Sequence, residues 1–180
     1  MTVTALRQTS PDRITLVLDE TEELKTTLGV VTEHRLYKGA ELDDKEAGLL
    51  RRDSARALAR ERAITLTSRR MYSRRELRDK LIAKGEEADI ADYCVDWLAE
   101  RGMLDDALYA AAIVRHYSAK SMGAARIRVE LKRRGIDREL WDEALETLPD
   151  ASNALDRYIR FRLPDPYDSA AMRRLNETLY

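Results

Sequence analysis

Residues Ser73 to Gly85 read SRRELRDKLIAKG, and fifty positions later Gly123 to Gly135 read GAARIRVELKRRG. In each stretch an aliphatic side chain holds the fifth and ninth places, Leu77 and Leu81 in one, Ile127 and Leu131 in the other. A four-residue step puts both on one face of a helix, and the Arg and Lys between them fall elsewhere on its surface. Ser73 followed by Glu76 is a capping box that starts such a helix, and the glycine at the thirteenth place supplies a left-handed stop. The stretch therefore reads as one helix of a unit built twice, with its leucines in a core.

Working outward, a first helix is expected from roughly Arg51 to Arg69, with Ala55, Leu58, Ala59, Arg62 and Leu66 along one stripe. A third opens at Asp89 and sets Ile90, Tyr93, Cys94, Trp97 and Leu98 on one face, with Asp89, Asp92, Asp96 and Glu100 on the other. Gly102 ends it. The pattern then restarts: Asp105 and Asp106 begin a helix through about Ala119, residues 123–134 form a second, and Asp137 caps a third that carries Leu140, Trp141, Ala144, Leu145 and Leu148. A third round is expected over Asn153 to Arg162 and Asp168 to Tyr180, where Leu175 and Leu179 take the places of Ile127 and Leu131. A period near fifty with three helices per unit is a repeat array in which each unit buries part of its core against its neighbours.

The first fifty residues differ. RITLVLD (Arg13 to Asp19) alternates Ile14, Leu16 and Leu18 with Thr15 and Val17, which is strand periodicity; the acidic turn DETEE and then LKTTLGVV suggest a hairpin that must pack on the helical body. The expected organisation is an N-terminal extension with a β-hairpin (1–50), three-helix repeats over 51–102 and 103–149, and a partial third repeat over 150–180. The class is mainly α.

Composition agrees. The chain has 180 residues, 44% hydrophobic and 36% charged, with seven glycines, which favours long amphipathic helices. A single cysteine, Cys94, excludes an internal disulfide and fits a reducing cytosol. The longest apolar run, Ala107 to Val114, is too short to span a bilayer, and MTVTALRQTSPDR lacks the order of a signal peptide.

The net charge of -1 conceals segregation: residues 51–84 carry twelve Lys or Arg against four acids, 119–138 seven against two, and 85–109 one Arg against eight acids. Enzyme chemistry is poorly supported. His34 and His116 lie in different modules, and neither a zinc cluster nor a phosphate-binding glycine loop has the necessary spacing. Asp105 and Asp106 read as a helix cap rather than a magnesium site. No cofactor is expected.

The basic helices are the candidate site. Arg74, Arg75 and Arg78 sweep an exposed flank of the second helix, with Arg69, Arg70 and Lys84 at its ends; Arg128 and Lys132 hold the equivalent flank of the next unit, Arg126 and Arg133 the opposite side, and Arg134 the core edge. Acids on these helices are few, so an unpaired positive surplus is expected to meet a polyanion or an acidic protein surface. Tyr72 and Tyr117 could stack on bases but read more readily as packing residues. A helix-turn-helix reading is disfavoured, because the third helices, DIADYCVDWLAER and DRELWDEALET, would bring their acids to the phosphates.

With these residues in place, the sequence resembles the RecX family of regulatory proteins. The resemblance rests on SRRELRDKLIAKG, on ERGMLDDALYAAAIVRHY leading into SMGAARIRVELKRRGID, and on LYKGAELDD (Leu36 to Asp44), and it runs from about Ile14 to Leu148. It implies an elongated, curved array of three-helix repeats lying in the groove of the RecA filament, contacting RecA and in part bound DNA. It also implies suppression of ATP hydrolysis, strand exchange and co-protease activity, in a non-enzymatic, cytoplasmic monomer with no membrane partner. Several weak contacts on one stiff array would combine through high effective concentration. Two other readings remain: a stand-alone single-strand nucleic-acid binder, and a helical scaffold for an unrelated acidic partner.

Overall fold

The computed structural model describes residues 1–146; the third round of helices expected over 150–180 and the end of the preceding helix, with Leu148, lie outside the described residues. The chain divides into two compact units, residues 1–106 and 107–180.

The first unit opens with three strands, β1 (Val3–Gln8), β2 (Arg13–Leu18) and β3 (Glu22–Thr27), followed by the helices α1 (Leu28–Glu33), α2 (Asp44–Thr67), α3 (Arg74–Ile82) and α4 (Ala88–Glu100). The strands form an antiparallel meander in the order β1, β2, β3, with Leu6, Leu16 and Leu24 in one cross-strand row. The expected hairpin is therefore a three-stranded sheet, and β1 is the strand that the sequence reading lacked. Its addition makes β2 central, which is why Thr15 and Val17 are buried together with Ile14, Leu16 and Leu18. Asp19 and Glu20 both adopt positive φ, as a type I′ hairpin turn requires, and Thr21 N–H donates to the Leu18 carbonyl.

A second difference concerns LKTTLGVV, expected as a continuous strand. It changes state at Thr27, whose hydroxyl accepts the Val30 N–H at 3.4 Å as the N-cap of α1. Val30 and Val31 are then buried in the same core as Ile14, Leu16 and Leu50, so tertiary burial outweighs the β preference of valine.

Helix α2 starts seven residues before the expected Arg51, at a capping box in which Glu46 N–H donates to Asp43 and Asp43 N–H to Glu46. It also serves two cores rather than presenting one stripe. Leu50 and Ala57 pack under the sheet, while Ala59 and Ala63 join Leu77, Leu81, Ile90, Cys94 and Leu98 in the helical core. Ala57 and Ala59 are nearly opposite each other on the helix, at about 100° per residue. On the sheet side, the Ser54 hydroxyl donates to Thr26 Oγ1 at 2.8 Å, with both residues fully buried.

The second unit contains α5 (Asp106–Ala119, beginning on the last residue of the first unit), α6 (Ala124–Arg133), a 3-10 turn (Arg138–Leu140) and α7 (Trp141–Glu146). Its core joins Tyr109, Ala110, Ile113, Val114, Ile127, Leu131, Ile136 and Ala144. Asp137 precedes the 3-10 turn without a side-chain capping bond, so the third helix starts later and less regularly than the expected cap implied.

The fifty-residue echo is exact in backbone hydrogen bonding at the ends of α3 and α6. Gly85 (φ 95°) donates to Ile82 and Glu86 to Leu81; Gly135 (φ 68°) donates to Lys132 and Ile136 to Leu131. Both are Schellman closures, in which a left-handed residue lets the last carbonyls find partners, and glycine takes that conformation without a Cβ penalty. Among the described residues, no helix is long and apolar enough to cross a membrane.

Candidate functional site

In α3, Ser73 accepts the Glu76 N–H at 3.0 Å, which fixes the first turn and aims Arg74 and Arg78 toward α4. There they meet carboxylates: Arg74 Nη2 lies 2.5 Å from Asp96 Oδ1, and Arg78 Nε lies 2.5 Å from Asp92 Oδ1. Arg75 stands 4.0 Å from Asp79, one turn on. A shallow hollow of about 440 Å³ lies among these alternating charges, between Arg75, Arg78, Asp92, Val95 and Asp96. The expectation of an unpaired surplus fails for these three arginines. Acids on α3 are few, but the i, i+4 pair Asp92 and Asp96 of α4 matches the i, i+4 pair Arg74 and Arg78, and a count within each helix cannot see that pairing.

The ends of this face behave differently. Arg70 reaches Glu76 at 3.4 Å and covers the ring of Tyr72, its guanidinium carbon 3.5 Å from the ring centroid. Tyr72 is buried in the helical core and closed to base stacking. Arg69 and Lys84 are exposed, with no carboxylate of the described residues within 4.0 Å.

In the second unit, Arg126, Arg128 and Lys132 are exposed, and none has a carboxylate of the described residues within 4.0 Å. Arg133 is paired with Glu130 at 2.7 Å; this contact holds the Glu130 carboxyl below the usual carboxylate range, with a further hydrogen bond from Tyr117. Arg134 is half-buried, and its guanidinium donates to the Tyr109 hydroxyl. Tyr117 is half-buried and meets His116 edge-on, with centroids 5.1 Å apart.

Asp106, read from the sequence as a helix cap, accepts the backbone N–H of Arg74 at 2.9 Å and so satisfies an open donor at the start of α3. No group of three or more His, Cys, Asp or Glu side chains among the described residues is placed to hold a metal.

A further feature escaped the sequence reading. Arg56 lies over Tyr93 at 4.5 Å, Arg60 over Trp97 at 5.3 Å and Tyr93 at 6.0 Å, and Arg101 over Trp97 at 4.0 Å. Two arginines four apart on α2 thus lie over two aromatics four apart on α4, within cation–π distance of their ring centroids. The matching spacing was the available signal, but nothing in the sequence places α2 beside α4.

Comparison with known proteins bears on both repeats. Residues 59–98 match the family model described as RecX, first three-helix domain, and residues 105–145 the model described as RecX, second three-helix domain. The Regulatory protein RecX of Xanthomonas oryzae pv. oryzae (strain MAFF 311018) is 38% identical over 122 residues, covering 66% of this chain and 76% of that one. The Regulatory protein RecX of Chromohalobacter salexigens is 40% identical over 125 residues, covering 66% and 81%. A crystal structure of regulatory protein RecX superposes with a TM-score of 0.69 over 98% of this chain and 92% of that one; at 23% identity this shows the common fold. With both helical domains matched in order, and relatives at this identity covered over three quarters of their length, the chain belongs to the RecX family of regulatory proteins.

Proposed function

We propose that this protein regulates the RecA recombinase by binding the RecA–DNA filament and inhibiting its ATPase, strand exchange and co-protease activities, thereby modulating recombination, DNA repair and the SOS response. The observation that carries the reading is the ordered match of residues 59–98 and 105–145 to the first and second RecX three-helix domains. In this reading residues 51–102 and 103–149 are successive copies of one module, and the protein is a cytoplasmic monomer that catalyses nothing itself. A protein that bridged neighbouring filament subunits would oppose the movements that accompany nucleotide turnover, so inhibition needs no chemistry from the inhibitor.

The test is the DNA-dependent ATPase of RecA at a several-fold excess of the purified protein. The expected outcome is a dose-dependent fall in ATP hydrolysis; an unchanged rate sinks the proposal. A second reading, a stand-alone binder of single-stranded nucleic acid, is favoured by Arg126, Arg128 and Lys132 of α6, which have no carboxylate of the described residues within 4.0 Å. It predicts affinity for an oligonucleotide without RecA, with log K falling against log salt by about 0.7 per phosphate contacted.

A further inference from the structure

The helices α3 and α6 occupy the same place in the two repeats, and the structure makes them electrostatically unequal. We infer that contact with the phosphate backbone of a single-stranded nucleic acid belongs to the second unit, on the outward face of α6, and that the arginines of α3 are structural partners of α4. The inference deepens the proposed function and rests on it for the setting of that contact.

A step of fifty pairs Arg78 with Arg128, Asp92 with Asp142 and Asp79 with Val129. Arg78 is held by Asp92 at 2.5 Å, whereas Arg128 has no carboxylate of the described residues within 4.0 Å. The cause lies in the backbone. Asp92 is the fifth residue of α4, but Asp142 is only the second of α7, which follows a 3-10 turn where the first repeat already has α-helix. The carboxylate that would neutralise Arg128 is therefore out of reach.

The outward half of α6 differs in composition as well. Taking Ile127 and Leu131 as the core direction, it presents Ala125, Arg126, Val129, Lys132 and Arg133, with Arg128 and Glu130 on the two flanks at equal angles; Arg128 is exposed, whereas the Glu130 side chain is 17% exposed and paired with Arg133. The corresponding half of α3 carries Glu76 and Asp79 beside Arg75 and Arg78. Where Asp79 stands 4.0 Å from Arg75, α6 has Val129, 63% exposed. Arg126, Arg128 and Lys132, with no carboxylate of the described residues within 4.0 Å and no exposed aromatic anchor beside them, fit phosphates better than a protein hot spot, which is built from Trp, Tyr and Arg. Three positive heads without an ion-pair partner among the described residues, Arg126, Arg128 and Lys132, set the scale of the expected salt dependence.

The experiment compares the full chain with two variants, R126E/R128E/K132E and R74E/R78E, by fluorescence anisotropy with a labelled oligo-dT across a salt series. Helical content is checked by circular dichroism, and R126Q/R128Q/K132Q serves as the milder substitute. The α6 triple should lose at least about tenfold in affinity and lower the salt slope by up to about 2, at about 0.7 for each of three phosphates. The α3 double should stay within about twofold. The inference is overturned if the α3 double weakens oligonucleotide binding as much as the α6 triple, or if the triple leaves it unchanged. RecA ATPase is measured in parallel. If the triple keeps its oligonucleotide affinity but no longer inhibits RecA, α6 takes an acidic protein surface and this inference falls while the proposed function stands. If the wild-type protein never inhibits RecA but the oligonucleotide arms behave as expected, the proposed function falls and the assignment of α6 stands.

Discussion

Cys94 shows how far burial alone reaches at a single side chain. It is fully buried in the helical core of the first unit, and desolvation pushes its thiol up from 9.0 to about 11, against weaker opposing influence from Arg60 and Arg56. The folded state therefore prefers the neutral thiol, and this preference is lost as pH rises from 9.0 through about 11, so alkali should loosen the core. Ellman's reagent should leave Cys94 unmodified at pH 8 in the native protein and react fully in denaturant; rapid native labelling would contradict the packing. A second prediction concerns the buried hydrogen bond between Ser54 and Thr26. Ser54→Ala strands a buried hydroxyl and should cost about 1–3 kcal/mol in urea unfolding, while the double replacement with Thr26→Val should recover much of that loss. Leu77, Leu81, Ile127 and Leu131 were legible from the sequence as core, because a four-residue step closed by glycine admits one face, and all four are fully buried. The Ser54 to Thr26 contact was not legible: it joins a helix to a strand 28 positions away.

At the scale of the element, α3 is the helix whose local start and stop chemistry was legible in the sequence, whereas α2 begins at a capping box, Asp43 and Glu46, seven residues before the expected Arg51, and elements defined by their neighbours were not legible. Helix α3 carries its capping box and its glycine within thirteen residues, so nothing outside it had to be known. Strand β1 and helix α1 depend on the sheet and core they complete, and their sequences give weak or contrary local signals. The same limit explains the misjudged charges of α3, whose partners lie on α4. Those pairs should nevertheless add little stability. Arg78 and Asp92 are 39% and 52% exposed, so a double-mutant cycle with Arg78→Ala and Asp92→Ala should give only a small coupling that shrinks with added salt. Leu81→Ala, by contrast, should cost about 2–5 kcal/mol, because it opens a cavity among side chains that cannot collapse onto it. A measured coupling larger than the leucine effect would mean that the ion pairs, rather than the core, hold α3 in place.

Across the whole chain, the division at residue 106 makes a prediction that the repeat pattern alone does not. The sequence suggests that residues 1–50 are an appendage to a helical body. The structure places Leu50 and Ala57 of α2 under the sheet and Ala59 and Ala63 of the same helix in the three-helix core, so one rigid element belongs to both cores. Unfolding either core would bare one side of α2, and an exposed helix with one unpartnered face is marginal in water. A fragment of residues 1–106 should therefore fold alone and unfold in a single cooperative transition, with near-ultraviolet and far-ultraviolet signals coinciding in urea. A fragment beginning at Asp43, which keeps the capping box but lacks the sheet, should retain helix yet unfold at a clearly lower urea midpoint. Two separate transitions in the longer fragment would show that α2 does not couple the cores. Because this fragment holds the self-paired arginines of α3 and lacks α6, it should also bind oligo-dT far more weakly than the full chain, which links the folding boundary to the division of charge between the repeats.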